Sequence, residues 1–260
     1  MLLHEHLENG ADKNPNFPFS EFEGNSLSYQ EANLLSNQLA NKLVSEGLEV
    51  GDRFAFLAKN CTEMAIMYYA ASKVGAVPVP LNYRLADQEW AYIINDSEAK
   101  LIIVKGNEYS DRINQISSEL KNVKKYISIS LDNSIEKFQD FYDWLSDSSN
   151  EKPTLKIHEN DDVYQMYTSG TTGHPKGAVL LQRNVAANIR QYLNSLTLPR
   201  PSRTLLVAPM YHAAAMINMC GCIAIGGTIV IQEDFIPQDV VDCLANEKIT
   251  HTVLVPAMIQ

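Results

Sequence analysis

The sequence predicts an α/β protein of mainly parallel sheets flanked by helices. Two observations carry that expectation. Stretches with helical spacing of apolar residues alternate with short apolar or β-branched runs, the rhythm of parallel strands joined by crossover helices. The chain has 260 residues, 45% of them hydrophobic and 20% charged, enough for one large or two moderate domains with a sizeable core.

The elements follow in order. Ser28 and Glu31 have capping-box spacing and open a helix whose apolar face is Ala32, Leu35, Leu39 and Leu43; Gly47 ends it. Phe54 to Leu57 reads as a strand. Asn60 and Glu63 repeat the capping pattern for a helix that runs to Lys73 and stops at Gly75. Ala76 to Pro80 is extended, and Pro78 and Pro80 place it at a sheet edge or a strand end. A helix over Asp87 to Asn95, a strand over Leu101 to Val104, a helix over Arg112 to Leu120, a strand over Lys125 to Ser130 and a short helix over Phe138 to Leu145 continue the alternation. Ser146 to Asp162 breaks it with a linker-like composition, so the boundary between a first subdomain, 1–150, and a second, 151–260, is expected there. Beyond lie a helix over Asn184 to Leu196, a strand over Thr204 to Val207, a helix over Gln238 to Glu247 and a strand over Thr250 to Val255.

The segment richest in chemistry is Tyr167-Thr168-Ser169-Gly170-Thr171-Thr172-Gly173-His174-Pro175-Lys176-Gly177. Seven of these eleven residues are Gly, Ser or Thr. Glycines let backbone N–H groups approach phosphate oxygens, the hydroxyls of Thr168, Ser169, Thr171 and Thr172 add donors, and Lys176 adds a point positive charge. β-type runs on both sides, Val163 to Thr168 and Ala178 to Leu181, would hold the loop. It is not a Walker A loop, because Pro175 precedes the lysine and Gly177 follows it.

Other patterns narrow the function. A net charge of −10 makes nucleic acid an unexpected partner, and a positive field for phosphate must be local. Cys61, Cys220, Cys222 and Cys243 form no C-x-x-C pair and read as buried, reduced thiols. The N-terminus has no signal-peptide pattern. Ala213 to Ile231 is nineteen residues without a charge, near the length of a membrane span, but Gly221, Gly226 and Gly227 interrupt it. The expected reading is a buried helix to Ala224, a glycine turn and a buried strand, with no membrane span and a cytoplasmic protein.

Residue for residue, the run 167–177 resembles the signature loop of the adenylate-forming superfamily, which includes acyl- and aryl-CoA synthetases, luciferases and adenylation domains of peptide synthetases. Lys73 to Asn82 and Gly47 to Arg53 resemble two further, structural motifs in the same order. The resemblance implies that Thr168, Ser169, Gly170, Thr171, Thr172, Gly173 and Lys176 bind the β- and γ-phosphates of ATP while a carboxylate attacks the α-phosphorus. Ala208-Pro209-Met210-Tyr211-His212 resembles the segment at the family's acyl pocket, which implies a catalytic His212 that orients the acid. Amino-acid-activating members place an aspartate just after the aromatic position; here His212 stands there, followed by three alanines. A substrate ammonium would lack its partner, so a fatty or aryl acid is expected. Gln182 departs from a histidine common after the loop.

The resemblance further implies Mg²⁺ with ATP, and CoA as co-substrate. It places the adenine and ribose contacts and a mobile lid with a catalytic lysine beyond residue 260. The expectation is therefore the N-terminal part of an AMP-forming acid:CoA ligase, incomplete at its C-terminus and inactive alone. A homodimer or a separate C-terminal lid polypeptide would be its partner. The rival reading is a non-catalytic nucleotide- or acyl-binding fragment, or a subunit of a split enzyme.

Overall fold

The computed structural model describes residues 1–130, 135, 137–168 and 173–259. The chain begins with helix α1 (Leu3–Lys13), strands β1 (Pro18–Phe22) and β2 (Asn25–Ser28), helix α2 (Tyr29–Ser45), strand β3 (Arg53–Leu57), helix α3 (Thr62–Val74) and strand β4 (Val77–Leu81). It continues through α4 (Asp87–Asp96), β5 (Leu101–Lys105), α5 (Asn107–Ile116), β6 (Lys125–Ile129), β7 (Phe138–Asp140) and α6 (Phe141–Leu145). Next come β8 (Asp162–Thr168), β9 (Lys176–Leu181), α7 (Gln182–Ser195), β10 (Arg203–Leu206) and α8 (Ala213–Ala224). The last elements are β11 (Thr228–Ile231), α9 (Pro237–Asn246), β12 (His251–Thr252) and the single turn α10 (Pro256–Ile259). The α/β class with parallel sheets is the expected one. Among the described residues, no helix is long and apolar enough to cross a membrane.

These elements pack as two units, each assembled from separated stretches of chain: Met1–Ser36, Lys59–Tyr69 and Gln182–Gln260 in one, Asn37–Ala58 and Ala70–Leu181 in the other. The linker-like composition of Ser146 to Asp162 predicts a different division, into 1–150 and 151–260.

In the first unit the strands run in the order β12-β10-β11-β1-β2. β10 and β11 are parallel, with Leu205 opposite Val230, and β1 adds to β11 in parallel, with Ser20 opposite Ile229. This pairing explains why the N-terminal segment belongs with the C-terminal one. Phe19 and Ile229 are fully buried, and the Tyr29 hydroxyl donates to the Gly227 carbonyl at 2.7 Å. Val207, Val230, Val240 and Cys243 form an apolar cluster with Leu205 beneath α9. On α8, Gly221 lets the ring of Tyr192 from α7 lie against the helix: a Cβ there would fall 2.4 Å from Tyr192 Cδ1. That glycine, read in the sequence as an interruption, is a helix–helix contact.

The second unit holds the sheet β4-β3-β5-β6-β7, parallel throughout. β4 is its edge, as Pro78 and Pro80 required: neither has an N–H for a further neighbour. Ala55, Leu57, Ile102 and Val104 on the sheet pack with Trp90 and Ile94 of α4 and Ile113 of α5. The hairpin β8-β9 is antiparallel, and β8 packs against β4. The linker-like stretch after Leu145 is part of this unit. Side chains of α2 grip its backbone: Asn37 donates to the Asn150 carbonyl at 3.0 Å and Asn41 to those of Ser149 and Glu151 at 2.8 Å.

Candidate functional site

The phosphate-type loop lies in the second unit. β8 and β9 pair antiparallel, with Tyr167 opposite Gly177 and Thr168 opposite Lys176. The register therefore brings the two ends of the predicted loop together. Thr168 and Lys176 are exposed at its mouth, and Gly173 has a left-handed φ of 102°. Ser169, Gly170, Thr171 and Thr172 lie outside the described residues.

The base of the hairpin is built from polar side chains. Arg53 of β3 donates to Gln165 at 3.2 Å and to Asp162 at 3.2 Å. Gln165 donates to the Tyr167 hydroxyl at 3.1 Å, and that hydroxyl donates to Asp96 at 2.6 Å. Burial first, then the bond to the Asp96 carboxylate, pushes the Tyr167 hydroxyl well above its ordinary pKa, so it remains a donor at any physiological pH. Gly177 sits against this chain. A Cβ there would lie 2.2 Å from Gln165 Nε2 and 2.9 Å from Tyr167 Cζ.

His212 lies in the first unit and is the residue preceding α8, with extended backbone. Its N–H donates to the Pro209 carbonyl at 3.0 Å, and its carbonyl accepts from Met216 N at 3.1 Å. The ring is exposed and lies tilted against Tyr211, with centroids 4.3 Å apart. The first N–H groups of α8 have no intrahelical acceptor and carry the positive end of the helix dipole, which favours an anion beside His212.

The turn that presents His212 is held by Asn60. The capping spacing of Asn60 and Glu63 predicts a helix opening at Asn60, but α3 begins at Thr62. The Asn60 amide instead donates to the Ala208 and Gln232 carbonyls, each at 3.1 Å, and its oxygen accepts from Met210 N at 2.7 Å. Tyr68 adds a bond to the Met210 carbonyl at 3.3 Å. Nothing local marks Asn60 for this work, because its partners lie some 150 positions downstream. The nearby thiols are not nucleophiles: burial pushes those of Cys220 and Cys222 up to about 12. Among the described residues, no group of three His, Cys, Asp or Glu is arranged to hold a metal ion.

The profile of the family described as AMP-binding enzyme matches residues 7–260. The chain belongs to the AMP-binding enzyme family. It is 30% identical over 235 residues to the long-chain-fatty-acid–CoA ligase FadD13 of Mycobacterium tuberculosis, covering 90% of this chain and 45% of that protein. It is 30% identical over 238 residues to the feruloyl-CoA synthase of an Amycolatopsis species, covering 91% and 45%. The chain thus spans less than half the length of these relatives. Among solved structures, the N-terminal domain of FACL13 from Mycobacterium tuberculosis superposes with a TM-score of 0.89 at 27% identity, over 99% of this chain and 64% of that one. An anthranilate CoA ligase in complex with anthranoyl-AMP shares the fold, with a TM-score of 0.93 at 21% identity over 99% of this chain and 50% of the other.

Proposed function

We propose that this chain supplies the ATP-phosphate loop and the acid-orienting histidine of an AMP-forming acid:CoA ligase. The observation that carries this reading is the β8-β9 register, which sets Thr168 opposite Lys176, the two ends of the donor-rich segment. The family match and the names of its relatives support it.

In the proposed reaction the substrate carboxylate attacks the α-phosphorus of ATP. Pyrophosphate leaves, an acyl-adenylate forms, and the CoA thiol displaces AMP. Backbone and hydroxyl donors of residues 168–173 and the Lys176 ammonium would stabilise charge developing on the departing pyrophosphate. They act by preorganisation and form no covalent bond. Mg²⁺ enters with ATP and would share that charge. His212, at the positive end of α8, would orient the carboxylate by a hydrogen bond from its ring. The acid is of the fatty or aryl class, because no carboxylate stands at position 212 to pair with an α-ammonium. The long-chain-fatty-acid–CoA ligase and the feruloyl-CoA synthase compared above act by name on acids of that class. ATP and CoA as substrates suit a cytoplasmic enzyme.

The test is AMP release by the protein in its full encoded length, with ATP, Mg²⁺ and CoA and a panel of fatty, aromatic and amino acids. Release that depends on a fatty or aromatic acid is the expected result. Release stimulated by amino acids alone would refute the substrate class, and no acid-dependent release would refute the activity.

A further inference from the structure

The limb of the loop that carries Lys176 is gripped from outside the hairpin, by one face of α4. Tyr92 and Asp96 stand one helical turn apart on that face. The Tyr92 ring stacks on the His174 ring, with centroids 5.0 Å apart and planes 22° from parallel. The Tyr92 hydroxyl reaches the Pro175 carbonyl at 3.4 Å and Asp96 at 3.5 Å. Asp96 also accepts the 2.6 Å bond from Tyr167, the residue paired with Gly177 across the hairpin. One helix face thus holds three successive points of the loop: His174 by its ring, Pro175 by its carbonyl, and the Tyr167–Gly177 rung through Asp96. Lys176 lies between the second and the third.

We infer that Tyr92 and Asp96 are positioning residues for ATP, acting through the loop limb that bears Lys176. The inference rests on the proposed role of the loop as the holder of the ATP phosphates. Its physical basis is that a largely exposed limb with glycine at 173 and 177 has little packing of its own to fix it. Charge stabilisation needs the donors in place before the charge develops. The stacked ring should carry most of the Tyr92 effect, because its two hydroxyl bonds are at the long limit of hydrogen-bond geometry. Asp96 is the stronger polar anchor, by its short bond. Its carboxylate would repel phosphate if unpaired, and the two tyrosine hydroxyls occupy it.

The experiment compares Tyr92→Ala, Tyr92→Phe, Asp96→Ala and Lys176→Ala in the full-length protein. Acid-dependent ATP–pyrophosphate exchange is measured with ATP and acid varied in turn, and melting temperature is recorded beside it. The expected result is a KM for ATP raised about tenfold in Tyr92→Ala and Asp96→Ala with the KM for acid unchanged. A small displacement of a positioned group is enough for that change. Tyr92→Phe, which keeps the ring, should stay within about threefold of wild type, and all melting points should stay close to it. If Lys176→Ala is impaired while Tyr92→Ala and Asp96→Ala behave as wild type, the positioning role is refuted and the loop's role stands. If Lys176→Ala is also unaffected, the phosphate reading fails and the inference with it. Equal rises in both KM values, or loss tracking a lowered melting point, would show a merely structural contact.

Discussion

Replacing Asn60 by alanine should cost about 3 kcal/mol of stability, more than a typical buried substitution. Asn60 is 2% exposed and makes three hydrogen bonds, to Ala208 O and Gln232 O at 3.1 Å and from Met210 N at 2.7 Å. Alanine removes all three. The Met210 N–H, on a fully buried residue, would be orphaned, at about 1–3 kcal/mol. The two carbonyls, which tolerate under-satisfaction better, would lose about 0.5–1.5 kcal/mol each. A loss of about 3 kcal/mol lowers the melting temperature of a protein this size by about 6–12 °C. Urea unfolding followed by circular dichroism measures it. Asn60→Asp is the sharper variant. It keeps the acceptor for Met210 and sets a carboxylate against two carbonyl oxygens, which raises the folded-state pKa of the new group. Its deficit should therefore be larger at pH 8 than at pH 5, because protonation restores one donor. A loss below about 1 kcal/mol in Asn60→Ala, or an Asn60→Asp deficit independent of pH, would refute the clamp.

Two further outcomes follow from packing and charge. Gly221→Ala should destabilise by about 1–2 kcal/mol despite the helix-propensity gain of about 1 kcal/mol, because the new Cβ meets a Tyr192 ring whose hydroxyl is held to Asn218 at 2.6 Å. In a Tyr192→Ala background the same change should stabilise, and thermal melts of the four proteins would show whether the sign reverses. Glu21 accepts hydrogen bonds from the two terminal Arg203 guanidinium nitrogens at 2.8 Å, and that hydrogen bonding holds its carboxyl below the usual value. The pair's stability, about 1 kcal/mol after allowing for partial exposure, should be fully present above about pH 4.5 and lost as pH falls through the depressed pKa. Glu21→Gln should lack that acid-side slope in chemical unfolding between pH 5 and 3.

What the sequence made legible is what depends on near neighbours. Ser28 and Glu31 form the capping box their spacing implies, with the Ser28 N–H donating to Glu31 at 2.8 Å. α8 spans Ala213–Ala224 and β11 follows it, because an uncharged apolar run broken by two glycines leaves few alternatives. The two ends of the phosphate-type loop fall on strands for the same local reason. What escaped depends on distant partners. β1 is a short strand whose place is fixed by pairing with β11, some 210 residues later. The stretch after Leu145 has the composition of a free linker, yet Asn37 and Asn41 bind its carbonyls and Gln38 binds that of Leu145, all from the helix that Ser28 and Glu31 open. Asn60 shows the same limit at the candidate site: a capping pattern was present, and a long-range polar clamp used the residue instead. Tyr92 lies within the helix expected over Asp87 to Asn95 and Asp96 just beyond it, and only the folded hairpin shows what they touch.

The central claim is that the loop closed by β8 and β9 holds the phosphates of ATP during activation of a carboxylic acid. Acid-dependent ATP–pyrophosphate exchange in the full-length protein, wild type against Lys176→Ala, tests it most directly. Removing one preorganised cation from a site of developing charge should lower the rate by at least about tenfold, equivalent to ~1.4 kcal/mol of barrier, with the melting temperature unchanged. Exchange at the wild-type rate in a folded Lys176→Ala protein would contradict the account.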